Sequence, residues 1–423
     1  MVGVGTYIRR LRLLGRNARL YLLYLVLSSV AFGVYALLFN FYVLSLGHDE
    51  ALLGRLLSGQ STAGLLGALP AGYVADRLGR KRSLLVAGLV MALAIAGLAA
   101  WPTFTGLLVM VICMGLAQSL GAVTLAPFLM ENSGEEERTY LFSFTFSLQM
   151  IVGMLGFWLG GQLPGWLALV TGQGGAAEAY RWVMLAVAGA VALALAPLFF
   201  LRPSRSARRL AASPLAPLRY ARRHPALLGK LASPVLITAL AAGLFVPFMN
   251  VFFRNRYQAG DETIASLFAA GSLVMALGFL AAPPLAARYG KIRLVILTQI
   301  LFIPALALLG FAPWFWLSAG AYLLRVALMT MDDPIYQAFV MERVEETARA
   351  TVASLLTMAA GLGAAAGPLF SGWLQVRAGF APVFLIVIAA YVLAIFLTWR
   401  FFLAPERRAA RFAGTAAAAQ ETA

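Results

Sequence analysis

Apolar runs of roughly 20 residues, the length a helix needs to cross the hydrocarbon of a bilayer, recur along this chain from one end to the other. That repetition sets the class before any motif is considered. Only 12% of the residues are charged and the mean hydropathy is +0.84, where a soluble domain carries about 25% charge. The chain reads as an all-α, polytopic membrane protein of twelve transmembrane helices. The first six spans are predicted near residues 20–46, 50–75, 83–101, 105–130, 139–163 and 180–201. The second six fall near 231–253, 263–287, 292–312, 314–340, 350–374 and 380–403. A Gly- and Pro-containing loop is predicted over 164–179.

The formal net charge of +16 would suggest nucleic acid in a soluble protein. Here the cations follow topology instead. Arg55, Arg181, Arg254, Arg256 and Arg377 fall on one side and Arg325 inside a span. The remaining Lys and Arg lie on the other side, the asymmetry that marks the cytoplasmic face. Both termini are therefore expected in the cytoplasm, in a multi-pass protein of the cell membrane that has no nucleic-acid partner. Trp166, Trp182, Trp314, Trp316 and Trp373 sit near the outer ends, as an aromatic belt does. The arginine-rich start leads into a retained first helix, since no A-x-A-like cleavage site follows a short apolar core. The lone cysteine, Cys113, lies in a span and is read as helix packing.

Residues 202–230 interrupt the pattern with Arg202, Arg205, Arg208, Arg209, Arg219, Arg222, Arg223 and Lys230, no acid, and four prolines. They form a central basic linker. The stretch 210–221 suits either a short helix on the anionic inner leaflet or a solvated connector. The expected organisation is a first half over 1–201, the linker over 202–230, a second half over 231–403 and a tail over 404–423.

The halves repeat. A shift of 211 residues carries Gly79 onto Gly290 and Phe128-Leu129-Met130-Glu131 onto Phe339-Val340-Met341-Glu342. The same shift carries Arg138 onto Arg349 and Gly156 onto Gly367. Two six-helix halves in parallel orientation follow, because six is even. Such duplications hold a substrate near the membrane midplane and alternate its access by rocking one half on the other.

The turn after the second span reads Gly72-Tyr73-Val74-Ala75-Asp76-Arg77-Leu78-Gly79-Arg80-Lys81-Arg82. Gly72 permits close helix approach, Gly79 permits the turn, and Asp76 stands where the helix leaves the bilayer. This stretch resembles the G-x-x-x-D-R-x-G-R-[KR] signature between helices 2 and 3 of the major facilitator superfamily. Glu131/Arg138 and Glu342/Arg349, both E-x6-R, resemble an element that sugar porters of that superfamily carry beside the basic turn. The remainder of the sugar-porter signature is missing, so sugar specificity does not transfer. The resemblance implies the major facilitator fold, a small-molecule substrate, membrane lipids around a monomer, and no cofactor or metal. It also implies a conformational latch of Gly72, Asp76, Arg77, Gly79, Arg80, Glu131, Arg138, Gly290, Glu342 and Arg349, with Asp76 facing the N-terminus of helix 11. Physically, Arg80 falls within reach of Glu131, and Lys291 or Arg293 within reach of Glu342. The shift places Ala287 opposite Asp76, so only one latch is complete.

In that family helices 1, 4, 7 and 10 line the pathway, which singles out Tyr35, Asn40, Gln118, Asn250 and Arg325. Asn40 and Asn250, 210 residues apart, fit two roles: amide recognition across one cavity, or interhelical hydrogen bonding. Arg325 fits anion binding or pairing with the carbonyls of a broken helix. Asp332 shares its helix face but lies ~10 Å further along at 1.5 Å per residue. Any proton coupling falls to Asp332 or Asp333, the carboxylates predicted within a span. The glycines of helices 5 and 11 read as close packing. Drug-proton antiporters of the superfamily carry a Gly-Pro element on helix 5, whereas here Gly367-Pro368 is on helix 11.

A secondary transporter by alternating access is the leading functional reading, with efflux of amphipathic compounds, as by an antiporter, ranked above uptake of a sugar-like or anionic metabolite. A lipid or lysolipid transporter also fits. A sensor or scaffold on the same fold would need large appended domains. A membrane-embedded enzyme lacks its chemistry: His48 and His224 are in loops, no nucleophile motif lies in a span, and no G-x-x-x-x-G-K-[ST] occurs.

Overall fold

The computed structural model describes residues 15–133, 135–171, 175–202, 222, 224–344 and 349–404. Most of the predicted linker and tail lie outside the described residues. The first half supplies α1 (Arg16–Ser45), α2 (Glu50–Leu78), α3 (Arg80–Ala100), α4 (Phe104–Glu131), α5 (Glu135–Thr171) and α6 (Ala176–Ala194, continued by Ala196–Phe199). The second supplies α7, in two pieces (Pro225–Phe245 and Met249–Tyr257) around a 3-10 turn (Val246–Phe248). It continues with α8 (Asp261–Tyr289), α9 (Lys291–Phe311), α10 (Phe315–Arg343), α11 (Arg349–Ala378) and α12 (Phe380–Thr398, then a π turn). Among the described residues ten helical segments are long and apolar enough to cross a membrane.

Local chemistry accounts for most ends. Asp49 caps α2, accepting from Leu52 N at 2.8 Å, and Thr103 caps α4, accepting from Gly106 N at 3.3 Å. Two junctions are a single residue long: Gly79 (φ 78°, ψ 158°) joins α2 to α3, and Gly290 (φ 83°, ψ 143°) joins α8 to α9. That backbone region is essentially closed to a side chain. The repeat thus reappears as one glycine conformation used twice.

Two boundaries differ from the sequence reading. The loop predicted over 164–179 is shorter, because α5 continues through Pro164 to Thr171. A proline costs a helix one hydrogen bond and crowds the carbonyl four residues back; that residue is Gly160. The single helix predicted over 231–253 is broken at Val246–Phe248, where Pro247 has no N–H to donate.

The chain divides into two compact units. The first comprises the described parts of Met1–Ala211 with Val246–Ala276 and Pro368–Arg377; the second comprises those of Ala212–Phe245, Leu277–Gly367 and Ala378–Ala423. In the first, Tyr21, Leu25, Leu84, Phe128, Leu129 and Leu141 pack with Leu195, Leu198 and Leu201. In the second, Ile292, Ile296, Phe339, Val340 and Val352 pack with Leu228, Leu231 and Phe402. Leu141 and Val352 are again 211 residues apart. Outward-facing Leu93, Leu193, Leu297 and Phe199 are exposed, as lipid-facing side chains are.

Glycine sets the closest helix approaches, and it does so twice. In the first unit a Cβ on Gly33 would lie 2.7 Å from Gly153 O and 2.9 Å from Gly156 Cα, so α1 and α5 touch backbone to backbone. In the second, a Cβ on Gly243 would lie 2.7 Å from Gly363 O and 3.2 Å from Gly367 Cα, the same crossing between α7 and α11. Small residues at such contacts are the means by which helices associate in lipid. Gly156→Ala is therefore expected to destabilise the protein by ~1–3 kcal/mol through overpacking, read as a lower thermal unfolding midpoint of purified protein. Gly189→Ala on α6, where nothing lies within 4 Å of the added Cβ, serves as the control and should not lower it.

Candidate functional site

The basic turn of the first half is an ordered charge network. Arg80 opens α3, directly after the Gly79 junction. Its Nη1 donates to Asp76 Oδ1 at 3.0 Å and its Nε to Glu131 Oε1 at 3.2 Å. The Arg80 side chain is 13% exposed, whereas Asp76 is 56% exposed. Lys81 Nζ donates to Phe199 O (2.6 Å) and Leu201 O (2.9 Å), fixing the end of α6. Arg77 lies over the Tyr73 ring at 4.6 Å. Gly72 faces Val123 across α4. The side chain of Arg138 lies outside the described residues.

The second turn has the same backbone and a thinner network. Lys291, opening α9 after Gly290, pairs with Glu342 at the end of α10. Ala287 stands at the Asp76 position. Arg349 Nε donates to Met341 O at 2.9 Å.

At the end of the first unit opposite its basic turn, polar groups converge from several helices. Asn40 of α1 donates from Nδ2 to Asn250 Oδ1 (2.8 Å) and to Pro247 O (2.6 Å). Asn250 donates back to Leu37 O at 2.8 Å, and its Oδ1 also accepts from Val251 N at 2.9 Å. Both amides are buried. Asn40 thus takes up a carbonyl at the break in α7, and the pair clasps α1 to α7. Beside them Arg254 pairs with Asp261 and donates to Tyr180 Oη at 2.9 Å. Tyr180 Oη donates to Asp261 Oδ2 at 2.6 Å, and the guanidinium lies 3.3 Å over the Phe41 ring. Asn255 Nδ2 donates to Glu50 Oε1 at 3.1 Å. Gly54 and Gly372 bring α2 against the Pro368–Arg377 segment of α11, since a Cβ on Gly54 would lie 3.3 Å from Gly372 Cα.

Sequence reasoning singled out Asn40 and Asn250 but not Arg254, Asp261, Tyr180 or Phe41. Arg254 and Asp261 flank a polar turn in which charge is unremarkable, and Tyr180 is distant in sequence. The one readable signal is a cation and an acid seven residues apart across the Gln258–Gly260 turn.

The remaining polar candidates lie within the helices. Tyr35 is buried against Phe39 (5.2 Å between ring centroids), and its hydroxyl has no partner among the described residues. Gln118 is on an exposed face of α4 and lines a cavity of about 350 Å³ in the first unit, with Tyr24, Ser28 and Gln149. In the second unit Arg325 is 7% exposed. Its guanidinium lies 4.6 Å from the Phe245 ring and 5.8 Å from Phe302. Nη2 meets Met329 Sδ at 3.5 Å, and Nε has no partner among the described residues. Tyr391 Oη donates to the same sulfur at 3.2 Å. Asp332 and Asp333 belong to α10, but their side chains lie outside the described residues. Among the described residues no cluster of His, Cys, Asp and Glu could hold a metal ion.

The fold has many solved relatives. A nucleoside transporter, NupG, superimposes with a TM-score of 0.71 at 15% identity, covering 91% of this chain and 98% of its own. A bacterial homologue of the human lysosomal transporter Spinster, in an inward-facing and unoccupied conformation, gives 0.71 at 15% identity over 95% and 98% of the two chains. The xylose transporter XylE from E. coli, in an inward-open conformation, gives 0.69 at 16% identity over 90% and 95%. No curated protein matches in sequence. The sequence profile of the Major Facilitator Superfamily matches over residues 20–329 and again over 235–422. With that profile spanning most of the chain on a transporter fold, the protein belongs to the major facilitator superfamily of membrane transporters.

Proposed function

We propose that this transporter moves a small organic solute by alternating access, exporting amphipathic compounds that carry a negative or strongly electronegative group. The observation that supports this substrate class is the surround of Arg325. Phe245, Phe302, Tyr391 and Met329 offer rings and a thioether to an apolar body, while a guanidinium N–H with no partner among the described residues offers a donor to a polar group. Such a mixture suits a permissive, greasy site better than the dense hydrogen bonding a sugar demands.

In this reading the access cycle uses both ends of the bundle. The Asn40–Asn250 clasp and the Arg254–Asp261–Tyr180 cluster close one end and part when it opens. The Asp76–Arg80–Glu131 network and the Lys291–Glu342 pair, on the Gly79 and Gly290 turns, latch the basic ends of their own halves, with Arg77, Arg138 and Arg349 in support. Exposed ion pairs contribute only ~0–1 kcal/mol each. A near-balanced equilibrium responds to a few such pairs, because ~5.5 kcal/mol carries it from 1:99 to 99:1.

Two measurements test the proposal in vesicles reconstituted with purified protein. Arg325→Gln is expected to raise the half-saturating concentration of a fluorescent amphipathic anion about tenfold or more, the loss that follows removal of a charge-assisted hydrogen bond of ~1.5–3 kcal/mol. Arg325→Lys should keep part of the affinity. An unchanged half-saturating concentration in the Gln variant would show that Arg325 only packs the bundle.

The second measurement concerns the drive. Carboxyl groups within a span serve as proton relays in membrane transporters, so Asp332 or Asp333 is the group proposed to exchange a proton against the solute. Under an imposed pH gradient the variant combining Asp332→Asn and Asp333→Asn should lose gradient-driven accumulation while still equilibrating the solute downhill. Full accumulation by that variant would remove α10 as the proton carrier.

A further inference from the structure

The second basic turn is more than a thinner copy of the first. An open depression of about 590 Å³ lies there, lined by Arg288 and Tyr289 of α8, Lys291 and Arg293 of α9, and Glu342 and Arg343 of α10. Among the described residues four cations and one acid line it. At the equivalent positions of the first half Arg77, Arg80 and Arg82 face two acids, Asp76 and Glu131, and the position of Arg343 is held by Asn132. The fourth first-half cation, Lys81, is committed to the carbonyls that end α6. Between the repeats Asp76 to Ala287 and Asn132 to Arg343 each add a positive charge to the second turn and Lys81 to Ile292 removes one, so that at these positions the first turn has four cations with two acids and the second four cations with one.

The cations are oriented by their neighbours. Arg343 lies 4.3 Å over the Phe339 ring, and Arg288 lies 5.4 Å from the Tyr289 ring. Lys291 is shared with Glu342. Arg293 is exposed in the first turn of α9. Below it on the same helical face, at spacings of 4, 7, 8 and 15 residues, come Leu297, Ile300, Leu301 and Leu308, each 45–49% exposed. Cations around an open depression, with an apolar stripe leading away from it, present complementary surfaces to a charged headgroup and an acyl chain. A small soluble anion would use the first and have no need of the second.

We infer that this depression is a binding site for an anionic phospholipid, its phosphate held among Arg288, Lys291, Arg293 and Arg343 and one acyl chain lying along the Leu297–Leu308 face of α9. Phosphate competes with Glu342 for Lys291, so headgroup binding and the Lys291–Glu342 pair oppose one another. The first basic turn, where Arg80 is held by Asp76 and Glu131 and Lys81 by the carbonyls that end α6, binds such a lipid more weakly.

The test uses the full-length protein in neutral detergent, titrated with short-chain phosphatidylglycerol or phosphatidylcholine and followed by native mass spectrometry and thermal shift. Phosphatidylglycerol should bind with clear preference over phosphatidylcholine. The combined Arg288→Gln and Arg293→Gln variant should lose about fivefold in phosphatidylglycerol affinity per cation removed. Arg82→Gln in the first turn should change it little. Glu342→Gln, which frees Lys291, should bind phosphatidylglycerol more tightly than the natural protein, a gain that misfolding cannot imitate. Equal losses from Arg82→Gln and the second-turn variant would overturn the inference in favour of diffuse surface charge. Displacement of the lipid by inorganic phosphate or glycerol 3-phosphate at similar concentration would overturn it in favour of a small-anion site. No gain in the Glu342→Gln protein would overturn the competition for Lys291.

Discussion

A polar group left without a partner in hydrocarbon costs several kcal/mol, and the places where this chain departs from a regular helix follow from that constraint. Most polar side chains in the spans meet it locally. Thr124, Thr145, Thr298, Thr330 and Thr398 each return a hydroxyl hydrogen to the carbonyl four residues back, at 2.6–2.9 Å. Pro247 breaks α7 where no such local answer exists, and the answer comes from another helix. Asn40 donates to Pro247 O and to Asn250, whose own amide donates to Leu37 O. The bend and the clasp are one arrangement, because neither amide could be removed without stranding a buried carbonyl or its partner amide. Burial of both side chains makes the arrangement exclusive of water in this conformation.

Duplication gave the two halves a common backbone, which side chains have since made unequal. The Gly33–Gly156 and Gly243–Gly367 crossings and the Gly79 and Gly290 junctions are shared because only glycine fits either demand: close backbone contact in one case, a positive φ in the other. Charge at the turns is under no such constraint. Arg80 has two acids within 3.2 Å, while Lys291 has Glu342 opposite it and alanine where the second acid would be. Equal geometry thus carries unequal charge: two acids stand with four cations at the first turn, and one with four at the second.

What could be read from the sequence follows the same division. Span positions, the repeat and its turn glycines were legible because apolar length and glycine spacing are local properties. The expected nearness of Arg80 to Glu131 and of Lys291 to Glu342 was legible too, since both pairs close a junction whose geometry the motif specifies. The extension of α5 past Pro164 was not, because a helix can absorb a proline at the cost of one hydrogen bond, and its surroundings rather than its sequence decide whether it does. Arg254, Asp261, Tyr180 and Phe41 were invisible for a different reason. Their association is tertiary, drawn from α1, α6, α7 and α8, and each residue alone is an ordinary occupant of a helix end. Asn40 and Asn250 were legible as a pair at matched depth, but the broken carbonyl that accepts from Asn40 was not.

Arg325 shows how magnitudes separate two accounts of one residue. A cation at the middle of a span costs at least ~2.5–3.5 kcal/mol on insertion scales. Against that stand one close ring, Phe245 at 4.6 Å, one more distant, Phe302 at 5.8 Å, and a thioether contact at 3.5 Å. A desolvated cation–π contact contributes ~2 kcal/mol at best and a distant one less, while sulfur is only a weak acceptor. These contacts offset only part of that cost. The buried Nε–H has no hydrogen-bond partner among the described residues. A purely structural arginine would be expected to have gained an acceptor there from a neighbouring helix, as Asn40 and Asn250 gained theirs. An Nε donor left open among the described residues is what makes this buried cation a candidate for binding a group the protein does not itself contain.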